Sequence, residues 1–380
     1  MKKVLIITTI SGFLPQFEKN DVKILKEMGC EIHYASNIRN PIYPFSIGEL
    51  QKEGIFFHHI DVEKSPMKLK NNLIAIGQLI KLIEENDIDM IHCHNPMGGV
   101  IGRVAAKISK NKPYVIYTAH GFHFYKGAPI WNWMIYYCVE YLLARWTNQI
   151  VTINYEDYVK AQKFPIKGSG AVVQIHGVGV DKERFSPNRD IEKRKRAELG
   201  IPLDAFHIVT AAELNVNKNQ RIIIEALAEL QEENIYYSIC GKGSNEVYLQ
   251  ELIKNNRLEK NVKLLGYRID MEEILQTADC FAFPSFREGL GVAAIEALLC
   301  EVPLIVADNR GTREYIINGE NGIVCNPSKK EEFIIAIKKM YTNENMRMTM
   351  KSKCRRSAEK FVIEEVEKTM REVYKRWKNR

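Results

Sequence analysis

The chain has 380 residues and 46% of them are hydrophobic, so it is too long for one ordinary core and too apolar for a disordered protein; two domains are expected. Lysine and arginine number 54 against 47 acidic residues, and the resulting +7 is spread along the chain rather than gathered into one stripe. That excludes a dedicated nucleic-acid binder and leaves room for an anionic substrate or membrane surface. The eight cysteines stand singly with no C-x-x-C pair, as a reducing cytoplasm predicts.

Met1-Lys2-Lys3 and the apolar run 4–10 have the outline of a short signal peptide, but no small-residue cleavage site follows, and the run reads as a first buried strand. Further β-branched runs at 31–35, 55–60, 90–94, 114–119, 149–153 and 171–175 alternate with amphipathic segments of helical period. Near-continuous Val/Ile strands joined by helices predict a parallel sheet covered on both faces. Gly177, Gly179 and Pro187 break the periodicity over 176–190, which reads as a connection between domains. A second alternation follows, with strands at 206–211, 236–240, 262–265, 280–284 and 303–307 and helices near 220–231, 247–256, 271–277 and 291–299. Two doubly wound sheets in tandem place ligand crevices at the carboxyl ends of their strands, so a site in a cleft where two domains face each other is expected. The basic amphipathic segment 361–377 either extends the second domain or crosses back to the first.

The most informative stretch is Phe283-Pro284-Ser285-Phe286-Arg287-Glu288-Gly289-Leu290-Gly291-Val292-Ala293-Ala294-Ile295-Glu296-Ala297-Leu298. Eight residues put the two glutamates about 80° out of phase on a helix, so Glu288 belongs to the turn and Glu296 to the helix body. Glu296 lies in a segment apolar on every face, where an unpaired carboxylate is costly and needs donors. A ribose diol supplies two hydroxyls, while the helix N-terminus beside Gly289 and Gly291 suits a diphosphate. The competing reading pairs Glu296 with a core Arg or Lys and leaves Glu288 as a helix N-terminal charge. Lys218, in the loop after the first strand of the second domain, can neutralise a leaving diphosphate or simply be solvated. Gly241 and Gly243, in Cys240-Gly241-Lys242-Gly243-Ser244, permit close backbone approach to a nucleotide.

This stretch, together with Leu264-Leu265-Gly266-Tyr267-Arg268, Arg310-Gly311 and Asn321-Gly322, resembles glycosyltransferase family 4, whose signature is a Glu-x7-Glu frame. The resemblance implies a GT-B fold of class α/β, with two Rossmann-like parallel-sheet domains facing across a cleft. Residues 1–177 would be the acceptor-binding domain, joined by a C-terminal helix at 362–380, and residues 178–361 the nucleotide-sugar-binding domain. It implies a retaining hexosyltransferase that takes a nucleotide sugar, UDP-linked by expectation, to a hydroxyl of a polyprenyl-diphosphate-linked glycan in exopolysaccharide, capsule or O-antigen synthesis. Glu288, Gly289, Leu290 and Gly291 would hold the donor sugar, Glu296 the ribose and Lys218 the diphosphate, with Tyr267 and Arg268 beside the base. Glu213 stands where many members have Arg, so a usual diphosphate contact is missing.

In the first domain, Thr118-Ala119-His120-Gly121-Phe122-His123 resembles the family's H-G block, which makes His120 a sugar contact near the reaction centre; His123 carries no such role. Catalytic roles are thereby implied for His120, Lys218 and Glu288. Ser11-Gly12-Phe13 resembles the Gly-containing loop near the donor phosphates. Asn154, Glu156 and Asp157 match a strand-end pattern of the branch, or a helix capping box, which is the favoured reading. Asp87-Ile88-Asp89 has a metal-chelating form but precedes the strand 90–94, at the wrong end of the sheet. In His92-Cys93-His94, strand alternation sends Cys93 to the opposite face from the histidines, so no metal site is expected there. No cofactor and no metal are required for the chemistry, since a lysine and a helix dipole can stabilise the leaving diphosphate. The aromatic stretch 128–146, near Lys126 and Arg145, suits either a bilayer interface or a buried helix. No run approaches the ~20 apolar residues that span a bilayer, so the enzyme is expected in the cytoplasm, peripheral at most at the inner face of the membrane. A nucleotide-sugar epimerase of related fold and a non-catalytic nucleotide-sugar-binding protein are the alternatives.

Overall fold

A computed structural model of the chain describes residues 1–39, 43 and 45–380, with the side chain of Arg189 left out. The chain divides into two compact units, Met1–Gly179 with Ile363–Arg380, and Val180–Val362.

In the first unit, seven strands form one parallel sheet: β1 (Lys3–Ile7), β2 (Glu31–Ser36), β3 (Ile55–His59), β4 (Met90–His94), β5 (Tyr114–Ala119), β6 (Gln149–Thr152) and β7 (Ala171–Gln174). Their order is β3-β2-β1-β4-β5-β6-β7, so the chain reverses direction of growth between β1 and β4. The run read as a first strand is fully buried from Val4 to Ile7, as a central strand of a covered sheet must be. The helix Ile363–Lys378 packs into this unit. Its Tyr374 hydroxyl lies 2.9 Å from His92 Nδ1, and Gln149 Nε2 donates to Val373 O at 2.8 Å.

The second unit repeats the plan with six parallel strands: β8 (Phe206–Ala211), β9 (Ile235–Cys240), β10 (Val262–Gly266), β11 (Cys280–Phe283), β12 (Leu304–Ala307) and β13 (Gly322–Cys325). The order β10-β9-β8-β11-β12-β13 places its switch between β8 and β11. A ligand of such a sheet sits beyond the carboxyl ends at that switch point. The loops that leave there carry Lys218 and Glu288, both from the sequence reading. β13 was not expected: its Gly-Ile-Val-Cys run is only four residues long, and nothing but its pairing with β12 identifies it as a strand.

The aromatic stretch 128–146 is buried in part. Trp133, Tyr136, Tyr137 and Tyr141 pack against the core, with a π-helical turn over Trp133–Tyr137. Ile130, Trp131, Met134, Ile135 and Leu142 are instead more than half exposed.

Candidate active site

In the second unit the site is built on two loops stapled to each other. After β8, Asn215 caps a short 3-10 turn, its side chain accepting from Lys218 N, and this sets the lysine. After β11, the 284–291 loop is fastened by Phe286 N to Asn217 O (2.8 Å), Asn217 Nδ2 to Arg287 O (2.9 Å) and Asn219 Nδ2 to Pro284 O (3.3 Å). The result brings Lys218 Nζ to 2.6 Å from Glu288 Oε1, and 5.3 Å over the Phe283 ring. Both side chains are largely withdrawn from solvent, 20% and 10% exposed, so water and salt screen the pair less than a surface ion pair. Arg310, also buried, donates from Nε to Glu288 O at 3.3 Å.

Gly291 starts the helix Val292–Leu299 at φ +94°, a conformation that a side chain rarely adopts. A Cβ there would stand 2.6 Å from the Phe283 ring and 2.9 Å from the Tyr315 hydroxyl. That hydroxyl is buried with no hydrogen-bond partner among the described residues. One turn into the helix, Glu296 is half-buried, and no hydrogen bond or ion pair among the described residues holds its carboxylate. Burial pushes the Glu296 carboxyl up to about 7, with Arg184 opposing the rise. Among the described residues the alternative, an ion pair with a core Arg or Lys, is not formed; Arg184, whose charge acts on Glu296, is bonded to Glu272 at 2.8 Å.

Other expected donor contacts find different surroundings. A Cβ on Gly241 would lie 1.9 Å from Ala212 O, and one on Gly243 2.3 Å from Leu214 O. Glycine is required at both places by the β8 loop crossing over them, whatever binds beyond. Arg268 is occupied by Asp270, at 2.8 and 2.6 Å, and by Glu198 at 3.1 Å, while Tyr267 is exposed. Glu213 is exposed, so it does not oppose a bound anion from within the core.

In the first unit, His120 follows β5 and its loop is shaped from below. Asn154 caps the helix Tyr155–Ala161 by accepting from Asp157 N, the capping reading, and Asp157 Oδ2 in turn accepts from Phe122 N at 2.9 Å. Asn132 Nδ2 donates to His123 O at 2.8 Å, a structural role for that segment. Gly12 is buried, and a Cβ on it would meet Tyr43 O at 2.6 Å. Asp89 Oδ2 accepts from Lys3 N at the opposite, amino end of the sheet, which removes the Asp-x-Asp motif from any site there.

His92 and His94 face one side of the sheet and Cys93 the other, as alternation requires. Their side, however, holds a cluster that the sequence reading missed. His94 Nδ1 is 3.2 Å from His120 Nε2, Glu18 Oε1 is 3.2 Å from His94 Nδ1, and Asp21 Oδ2 is 3.7 Å from His92 Nδ1. Burial drives His94 down to about 4 and His120 to about 3, and raises Glu18 to about 8. Both histidines are therefore neutral at pH 7, each with one donor and one acceptor nitrogen. The only sequence signal was that His92, His94 and His120 all end adjacent strands; Glu18, Asp21 and Tyr374 come from distant segments.

Each unit matches a known family model. Residues 191–357 match the family model of glycosyl transferases group 1, and residues 5–154 that of glycosyl transferase 4-like proteins. EpsD of Bacillus subtilis (strain 168), named as a glycosyltransferase, is 36% identical over 377 residues, covering 98% of this chain and 96% of the relative. The chain belongs to the family 4 glycosyltransferases. Its relatives in this family include enzymes of capsule and exopolysaccharide synthesis. An Escherichia coli relative, named UDP-Gal:alpha-D-GlcNAc-diphosphoundecaprenol alpha-1,3-galactosyltransferase, is 27% identical over 305 residues, or 76% of this chain and 75% of its own length. The GT-B fold of this glycosyltransferase is shared with Alr3699/HepE of Anabaena, solved with UDP and glucose, at TM-score 0.79 and 19% identity over 99% of this chain and 100% of that one.

Proposed function

We propose that this glycosyltransferase moves a sugar, with retention of anomeric configuration, from a UDP-linked donor to a hydroxyl of a polyprenyl-diphosphate-linked glycan at the inner face of the cytoplasmic membrane. The observation that carries this reading is the arrangement at the β8/β11 switch point. Lys218 and Glu288 form an ion pair beside the N-terminus of the helix Val292–Leu299, one turn from a half-buried Glu296 whose carboxylate is held by no hydrogen bond or ion pair among the described residues. A diphosphate draws Lys218 from Glu288, Glu288 then accepts from sugar hydroxyls, and Glu296 accepts from the ribose diol. Leu290 and the backbone at Gly289 line the sugar. Gly12, Gly241, Gly243, Tyr267 and Arg268 keep the donor roles implied by the family, with Arg268 requiring release from Asp270. His120 donates to a sugar hydroxyl. The leaving phosphate takes the acceptor proton in a front-face displacement, the mechanism implied by the family resemblance. Lys218 and the helix dipole supply the charge at the diphosphate, with no metal needed there. The Escherichia coli relative's UDP-Gal donor and undecaprenyl-diphosphate acceptor support the choice of substrate classes. The exposed Ile130, Trp131, Met134, Ile135 and Leu142 support contact with a bilayer.

The test is nucleotide release from a panel of UDP-, GDP- and dTDP-sugars, without added Mg2+ or Mn2+, before and after addition of membrane lipid extract. Release of UDP that depends on the extract is expected. Conversion of the donor without any acceptor, or a strict need for added divalent ion, would overturn the reading.

Glu296 adds a pH dependence. Its ligand-free carboxyl is mostly protonated below about 7 and becomes a double acceptor for the diol above it. UDP affinity is therefore expected to strengthen about tenfold between pH 6 and 8, beyond the change seen in Glu296→Gln, as calorimetry can measure. For the ligand-free fold the sign is opposite. A carboxyl raised from 4.5 to about 7 is best tolerated when protonated, so its stabilising share is lost as pH rises through that window. Equal pH responses in the two proteins would remove Glu296 from the ribose.

A further inference from the structure

We propose that Glu18, His94 and His120 of the first unit form a site for one divalent transition-metal ion, with Zn2+ the best match. His94 ends β4 and His120 follows β5, and these strands pair in register at His94 and Thr118. Glu18 immediately precedes the helix Lys19–Glu27. The three ligand atoms stand 3.2 Å (His94 Nδ1 to His120 Nε2), 3.2 Å (His94 Nδ1 to Glu18 Oε1) and 3.7 Å (His120 Nε2 to Glu18 Oε1) apart. Bonds of about 2.0–2.1 Å at tetrahedral angles separate ligand atoms by about 3.3–3.4 Å, so the donors already hold the spacing that such an ion requires.

Hydrogen bonding within the trio satisfies only the contact between the two imidazoles. Glu18 Oε1 is buried with no hydrogen-bond partner among the described residues, and a cation would take the place of the proton that burial favours on this carboxyl. Two imidazoles and one carboxylate are a borderline set suited to Zn2+, and three protein ligands leave a fourth position for water. Glu18 and His120 border a cavity also lined by Asn20, Thr118, Gly177 and Val178, which gives that position space. His92 is not a fourth ligand: Tyr374 and Thr118 engage its nitrogens at 2.9 and 2.7 Å, and it packs on His94 with ring centroids 4.1 Å apart. An ion on His120 Nε2 would fix the ring and leave Nδ1 as its free nitrogen.

Full-length protein stripped with a chelator and titrated with Zn2+ alone in a calorimeter is expected to bind one ion per chain. Co2+ in its place should give the visible absorption of a tetrahedral site. His94→Ala and the isosteric Glu18→Gln should each weaken Zn2+ binding about a hundredfold or more and abolish that absorption. His58→Ala, which removes the separate contact of His33 Nδ1 with His58 Nε2 at 2.9 Å, should leave the affinity unchanged. Substoichiometric uptake by the wild-type chain overturns the proposal on its own, whether or not the variants fold. So does unchanged affinity in Glu18→Gln.

Discussion

Replacing Lys218 with alanine is expected to lower kcat by two to three orders of magnitude, about 2.7–4 kcal/mol of transition-state stabilisation. The ammonium touches the Glu288 carboxylate and lies in the loop beyond the carboxyl end of β8, where developing diphosphate charge would sit. The same substitution strands Glu288, whose side chain is only 10% exposed, so some loss of thermal stability must accompany it. The double variant Lys218→Ala/Glu288→Gln separates the two effects. It should recover most of the melting temperature and none of the turnover, since removing a stranded charge repairs the fold but not the chemistry. Wild-type kcat in Lys218→Ala, with UDP release as the readout, would end the leaving-group assignment.

The largest stability effect is expected away from the candidate site. Arg103 is fully buried in the helix Pro96–Ile108, with Nη1 2.7 Å from Glu140 Oε2, Nε donating to Gly99 O at 2.7 Å, and its guanidinium 4.0 Å from the centre of the Tyr117 ring. Glu140 also accepts from the Tyr117 hydroxyl at 3.3 Å. Glu140→Ala leaves a buried guanidinium without its counter-charge and should destabilise the first unit by about 3–5 kcal/mol in denaturant unfolding. Arg103→Met/Glu140→Ala removes both charges and should recover much of that loss. A single-variant effect below about 1 kcal/mol, the scale of exposed pairs, would show that water reaches the guanidinium.

Much of the architecture was legible because parallel strands buried on both faces leave unmistakable Val/Ile runs. The strands at β4, β5 and β8 were read to the residue, and most others to within one or two. β13 escaped because four residues carry no period of their own. At the site, strand-to-turn-to-helix patterning was enough to separate Glu288 from Glu296. It could not show that Lys218 and Glu288, 70 residues apart, pair directly, nor that Ala212 and Leu214 are what require glycine at 241 and 243.

The sequence by itself determined the two α/β repeats, the family and the loops that carry chemistry, because each depends on local periodicity or on residues close together in the chain. Only the tertiary structure decided which charges are partnered. It joined Arg103 to Glu140 and Arg268 to Asp270, left the Glu296 carboxylate without a hydrogen bond or ion pair among the described residues, and gathered Glu18, His94 and His120 from three segments. The physical reason is that burial and Coulombic pairing depend on distance in space, which the sheet order sets and residue spacing does not.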